Sequence, residues 1–408
     1  MIFEPETVKG FRDFLPPESL KRDAVKKIVE KWFRLYGFMP VDTAMVEFDE
    51  LMKPDNLPNE EEDEAISDRF RLQDKGGRKL GLRYEFTFQL ARIFRENPNI
   101  KLPFKRYQIG EVFRDEPVSA RRFRQFTQCD ADIIGDQTIN ADAECLALFS
   151  DILKELKVNF EIQINNRKLL NSIIESVEIR QIKNVMKEVD KIDKIGVDEV
   201  KNNLKKYADT NQIITLLKLL EKDIKFFKEN AFSGIDELEE LIEDCKLYGI
   251  SLKFNPLLTR GFGYYTGNIF EIVEKGKKDS IAGGGRYDRT VGKYAGKEIP
   301  AVGISFGLER LTESANVKIE NLPQALLISI NQDVISADLA KKLRKAGVSC
   351  SIEFGKPSKG LDYANSLKIP FVVFIGEEEV GNKKFKLRNM ETGKEELLSE
   401  KQLIRVLS

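Results

Sequence analysis

Arg114, Asp115, Glu116, Arg121, Arg122 and Arg124 crowd into one short polar stretch between two apolar, strand-like arms, around Tyr107–Phe113 and Phe123–Thr127. A planar guanidinium fork grips phosphate oxygens in pairs, so a strand–loop–strand that offers several of them beside carboxylates suits a polyphosphate. A charged hairpin tip is more often simply solvated. Three stretches downstream weigh against that: TRGFGYYTG at 259–267, AGGGRYD at 282–288 and AVGISFGLERL at 301–311. Glycines at 261, 263, 267 and 283–285 suit close backbone approach to a substrate. No Lys-Ser/Thr follows the glycine run at 283–285, so it is a poor phosphate-binding P-loop.

What the chemistry must do without is equally clear. The chain contains no histidine, which excludes a histidine general base, a Ser-His-Asp triad and a His-ligated zinc. Acid–base and charge work must rest on carboxylates, Arg, Lys, Tyr or the substrate itself. Cys129, Cys145, Cys245 and Cys350 are scattered, with no CxxC pair, and read as reduced thiols.

Taken together, these stretches resemble the histidyl-tRNA synthetases, a class II aminoacyl-tRNA synthetase family. FRDE at 113–116 and RRFRQFTQCD at 121–130 are similar to the second class II signature, and GLER at 307–310 to the third. RGFGYYTG and GGGRYD resemble two signatures of the histidine-specific enzymes. The likeness runs from GFRDFLPPE at 10–18 to the C-terminal segment. One position departs: the family signature usually carries Asp where this chain has Gly263, and Glu271 or Asp288 are the acids that could replace it.

The resemblance implies a site. Arg114 and Arg260 would take opposite sides of the ATP α-phosphate, Arg310 the γ-phosphate and Arg122 the outer phosphates, with Mg²⁺ bridging them. Glu116 and Phe126 would meet the adenine, as amine acceptor and stacking face. Glu85, Thr87 and Gln128 correspond to contacts with the α-amino group of L-histidine. Asp132, Tyr264 and Tyr265 correspond to positions near the imidazole, and no protein metal ligand is expected. The partners implied are ATP, L-histidine, tRNA(His) and a second copy of the chain. Two alternatives stay open: a non-catalytic relative that regulates histidine biosynthesis, and a class II synthetase for threonine, proline or glycine. The regulatory relatives generally lack the C-terminal domain and erode the ATP-binding arginines. The threonine enzyme needs His-ligated zinc.

At 408 residues the chain exceeds one typical core, which predicts two or three domains. With 41% hydrophobic and 33% charged residues the composition is globular, and a net charge of −1 leaves nucleic-acid contact to local patches. No apolar run suits a membrane span and no secretory signal opens the chain, which points to a cytoplasmic protein. Apolar positions from Leu20 to Tyr36 recur at helix spacing and Gly37 closes them. A strand over Phe38–Phe48 follows, and by resemblance this pair builds a homodimer interface. Residues 53–70 look like an acidic loop around Glu60–Glu64. Strands are expected at Arg69–Leu72, Lys79–Tyr84 and Val158–Ile164, and helices at Glu85–Phe94 and 140–157.

The fold expected is α+β: a class II antiparallel-sheet catalytic domain over 1–165 and 233–320, interrupted by a helical insertion over 166–232. The insertion is mildly basic and is either a structural module or, as the resemblance favours, an acceptor-stem contact. From 323 to 408 strands and helices alternate. That predicts an open α/β sheet, which resembles the anticodon-binding domain of a subset of class II synthetases.

Overall fold

The computed structural model describes residues 4–52, 68–119, 122–260, 263–277, 280–319 and 323–408. They fall into two compact units that divide between Val317 and Lys318. The acidic run Glu60–Glu64, Arg121 and Gly261 lie outside the described residues.

Helix α1 (Glu18–Leu35) buries Val25, Val29 and Phe33, one stripe at helix spacing, and Gly37 just beyond it sits at φ 79°. The single strand expected over 38–48 is instead two short pieces, β1 (Met39–Pro40) and β2 (Val46–Phe48), which join different sheets. Pro40 has no N–H with which to continue a ladder. A three-stranded sheet pairs β2 with β4 (Lys79–Leu82), and β4 with β3 (Arg71–Gln73). Helix α2 (Thr87–Glu96) follows.

The main sheet adds β5 (Phe104–Phe113), β6 (Gln125–Ile134), β7 (Phe160–Asn166), β8 (Leu252–Phe254), β9 (Asn268–Glu274), β10 (Ser280–Arg286) and β11 (Ala301–Gly307). Its order is β1-β5-β6-β11-β10-β9-β7-β8. The strands from β5 to β7 pair antiparallel, and β1 and β8 attach in parallel at the edges. Side chains alternate across a strand, so β6 turns Cys129, Ala131 and Ile133 into the hydrophobic core and Gln128, Asp130 and Asp132 to the other face. Helix α3 (Ile139–Glu155) covers the core face, with Phe149 stacked on Phe306 of β11 at 4.1 Å and 6.1 Å from Phe33 of α1.

Between β7 and β8 the chain forms α4 (Arg167–Ser176), α5 (Ile182–Val189), α6 (Ile192–Ile195), α7 (Val197–Leu204), α8 (Thr210–Leu219), α9 (Ile224–Glu229) and α10 (Ile235–Leu247). Leu169, Ile173, Val185, Leu204, Leu216 and Phe227 from these helices belong to the same buried cluster as α3 and the sheet. The helical segment therefore shares one core with the strands on either side of it. Helix α11 (Leu308–Ser314) leaves the end of β11.

The second unit has its own sheet: β12 (Ala325–Ser329), β13 (Cys350–Phe354), β14 (Phe371–Ile375), β15 (Phe385–Asn389) and β16 (Glu395–Leu398), in the order β13-β12-β14-β15-β16. The first three strands are parallel and the last two form an antiparallel hairpin. Helices α12 (Asp333–Lys345) and α13 (Pro357–Ser366) contribute to separate buried clusters, through Leu339 and Leu343 in one and Ala364 in the other. Sequence reading missed α14 (Glu377–Gly381) and α15 (Glu400–Leu407). The second had a legible start, a capping box between Ser399 and Gln402.

Candidate active site

Pairing between β5, β6 and β11 sets the floor of the site. Asp132 stands opposite Arg106 on one side and Gly303 on the other. A Cβ at Gly303 would lie 1.9 Å from the Asp132 carboxylate, so only glycine leaves room for it. Arg106 is fully buried and ion-pairs with Asp132, Nη2 to Oδ2, at 2.7 Å. The Tyr287 hydroxyl donates to the other Asp132 oxygen, and Ser305 donates to Asp130. Burial pushes Asp130 up to about 7 against the pull of Arg106. It raises Asp132 too, opposed by Arg106 and the Tyr287 hydrogen bond. Gln128 reaches Ser305 at 3.3 Å through its amide nitrogen, and its carbonyl oxygen is buried without a partner.

Arg83 anchors one wall. Its Nε donates to the Glu111 carbonyl at 2.7 Å and its Nη1 to the Thr43 carbonyl at 2.8 Å. The next turn carries Glu85, which is buried and accepts the Phe88 N–H at 2.6 Å at the start of α2. Burial raises the Glu85 carboxyl, while Thr87 and the first amides of the helix favour its charged form. From Thr87 the contacts run on through Tyr264 and Tyr265 to Arg260. The two tyrosine rings lie 4.8 Å apart, and Tyr264 is 5.7 Å from Tyr287. Burial lifts both phenols, so they act as neutral donors. Glu85, Thr87, Tyr264, Tyr265 and Arg260, distant in sequence, thus form one continuous wall.

Arg260 holds an uncommon backbone conformation, φ 61°. Its Nη1 reaches Glu271 at 3.2 Å, and its Nε is buried without a partner. Of the two acids that could replace the missing carboxylate at Gly263, Glu271 is the one that meets Arg260. Asp288 is occupied by Thr266 and Arg286. The glycine run serves a different purpose from the substrate approach expected of it. Gly283–Gly285 lie inside β10. A Cβ at Gly283 would fall 1.8 Å from the Arg260 guanidinium, one at Gly284 2.0 Å from the Gly303 carbonyl, and one at Gly285 2.6 Å from the Asn268 carbonyl. The run makes room for Arg260 and for the adjoining strands.

A second group gathers at the β5–β6 end. The Arg114 guanidinium lies 4.4 Å from the centre of the Tyr84 ring and 4.9 Å from that of Phe126, a geometry that holds a cation by the ring quadrupole. Glu116 sits between Arg114 at 3.9 Å and Arg122 at 3.8 Å, in loose pairs that exceed hydrogen-bond length. Arg122 is more than half exposed. Arg310 stands apart, donating to the Ser280 carbonyl at 2.8 Å where β10 begins. Tyr84 links the two groups, since its carbonyl accepts from Arg114 and Glu85 follows it. Sequence reasoning missed Arg106, Asp130, Ser305 and Tyr287. The polar alternation Gln128-Asp130-Asp132 along one strand was the available signal.

Two family models cover almost the whole chain: histidyl-tRNA synthetase matches residues 10–311, and anticodon binding domain matches residues 324–408. Histidine--tRNA ligase 1 of Bacillus cereus is 37% identical, over 97% of this chain and 97% of its own length. The histidine--tRNA ligase of Clostridium tetani is 33% identical, over 100% of this chain and 98% of its own. Among solved structures, histidyl-tRNA synthetase from Nostoc sp. PCC 7120 superposes with a TM-score of 0.86 at 27% identity, covering 99% of each chain.

Proposed function

We infer the chemistry of this chain from one premise: it belongs to the histidyl-tRNA synthetase family. It activates L-histidine with ATP to histidyl-adenylate and transfers the histidyl group to the 3′ end of tRNA(His). In the first step a carboxylate oxygen of histidine attacks the α-phosphorus. A new P–O bond forms, the bond to the bridging oxygen breaks, and pyrophosphate leaves. Two anions must be brought together and charge grows on the phosphate oxygens, so fixed cations around that phosphorus lower the barrier.

Arg114 and Arg260 are the cations we assign to the α-phosphate. The observation that carries the assignment is Arg260 itself. Its side chain is largely covered, braced by Glu271 and seated over Gly283, and it keeps a buried Nε–H without a protein partner. Arg310 takes the γ-phosphate and Arg122 the outer phosphates. Phe126 and Glu116 receive the adenine. Glu85 neutralises the α-ammonium, with Thr87 and the free Gln128 carbonyl as further acceptors. Tyr264, Tyr265 and Asp132 define the ring pocket. In the second step no histidine base exists, and a phosphate oxygen of the adenylate accepts the proton of the ribose hydroxyl. Mg²⁺ would be held chiefly by the ATP phosphates, whose charge it would offset.

A homodimer through α1 and the strands after it is part of the same reading, supported by exposed Leu35, Met39, Met45, Val46 and Phe48. So is a cytoplasmic location, and among the described residues no helix is long and apolar enough to cross a membrane. ATP–pyrophosphate exchange with each of the twenty amino acids tests the assignment. Exchange with histidine alone, lost in Arg260→Ala, is the expected result. No exchange from folded protein would remove it.

A further inference from the structure

We propose that Arg106 is a positioning residue for ring recognition: by pairing with Asp132 it cancels that carboxylate's charge and makes the pocket accept the ring of histidine as neutral imidazole. The proposal rests on the reading of the pocket given above. Arg106 is 0% exposed and among the largest fully buried side chains of the protein. A guanidinium stays charged at any working pH, so a permanent positive charge lies under the amino-acid site. Its partner is Asp132 at 2.7 Å, yet the contact is charge pairing without an aligned hydrogen bond. All three Arg106 nitrogens and Asp132 Oδ2 lack a hydrogen-bond partner. Tyr287 occupies Oδ1. Oδ2 is therefore an open acceptor on a carboxylate whose charge is already offset.

A neutral imidazole can donate its N–H there at no electrostatic cost. An imidazolium would bring a second positive charge towards Arg106, at a carboxylate, Asp132, whose charge Arg106 already offsets. The other titratable groups facing the pair are Asp130 on β6, Glu85 before α2, Tyr264 before β9 and Tyr287 after β10. Cys145 of α3 feels Asp132 from the core face and stays a thiol, because burial raises it. The phenols are likewise held neutral. Asp130, pushed up to about 7 by burial, and Glu85, whose carboxyl burial also raises, are the other carboxyls near the pair.

Equilibrium dialysis of the full-length protein from pH 5.5 to 8 tests this. The probes are histidine and a triazolylalanine, whose ring does not titrate in that range. Both carry the same α-ammonium, so effects of Asp130 and Glu85 on the binding of that group cancel in the ratio of the two dissociation constants. The histidine ring titrates near about 6.5, leaving about one tenth neutral at pH 5.5. Relative to the analogue, the Kd for histidine should rise about tenfold between pH 8 and 5.5. A constant ratio overturns the proposal. In Arg106→Met, with Asp132 unpaired, the ratio should flatten or invert, and Arg106→Lys should restore the rise. A wild-type profile in Arg106→Met would reduce Arg106 to packing and overturn the proposal. Arg106→Gln, polar and of similar length, is the second neutral variant if the first does not fold. Exchange measured in parallel separates the two readings. Histidine bound with the tenfold rise but no exchange would remove the adenylation reading and support this one. Exchange with a flat ratio would do the reverse. No histidine binding at all would overturn both.

Discussion

Gly283 and the Arg260 guanidinium compete for the same space, and the contest can be read in activity. A Cβ at 283 would sit 1.8 Å from Nη1, so Gly283→Ala must push the guanidinium off its bed. Because a misplaced cation loses its hold on developing charge, histidine-dependent exchange should fall about 100-fold with the melting temperature little changed. Near-normal exchange would show that Arg260 does not need this seat. Asp130 gives a second test at this scale. Its folded-state value of about 7 lies above the value of about 3.9 expected in an unfolded chain. The native state therefore binds the proton more tightly, and the stability this supplies is present below about pH 4 and lost as pH rises through 7. Asp130→Asn should melt higher than the wild type at pH 8 and level with it at pH 4. The opposite ordering in thermal melts would mean that Arg106 dominates and holds Asp130 ionised. Among individual residues, the motif arginines Arg114, Arg260 and Arg310 were the most legible, whereas Arg106 and the purpose of Gly283–Gly285 were not. Asp130 was hidden because an acid in a strand reads as solvent-facing, and only its neighbours make it buried.

At the scale of elements, Glu309 ties three of them together. It accepts from Arg22 of α1 and from the Thr127 N–H of β6, at 3.1 and 3.2 Å, while sitting in the first turn of α11. Arg22 also donates to the Thr127 hydroxyl at 2.7 Å. The Arg22 and Glu309 side chains are 16% and 12% exposed, so water replaces a lost partner poorly. Arg22→Ala should destabilise the protein by about 2 kcal/mol, less than the loss of a partner in a fully buried pair costs. Urea titration reads this directly, and an unmoved midpoint would make the contact incidental. Helices announced themselves by apolar spacing, as in α1 and α3. The strand after α1 was harder: the apolar run is continuous, but Pro40 and the pull of two different sheets split it. β10 was hardest, because a Gly-Gly-Gly run looks like a loop until strands on both sides are seen to need its bare backbone.

For the whole molecule, the separate buried clusters on either side of Val317 predict separable activities. A chain truncated after Val317 should retain exchange within about tenfold, because every group assigned to adenylation precedes the cut. Charging of tRNA(His) should fall by at least about 100-fold, since the module that matches an anticodon-binding domain would be gone and a net charge of −1 supplies no general attraction to RNA. Equal losses in both assays would show that the first unit depends on the second.

By itself the sequence determined the family and the antiparallel catalytic sheet with a separate C-terminal α/β domain, and it supplied most of the groups proposed to meet substrate. Motif residues are adjacent in the chain and keep their chemistry wherever the chain goes. Only tertiary structure decided which acid braces Arg260, what the glycines make room for, and that Arg106 lies charged beneath Asp132. Those facts depend on strand register, because pairing Arg106, Asp132 and Gly303 across three strands brings together residues that local sequence never places side by side.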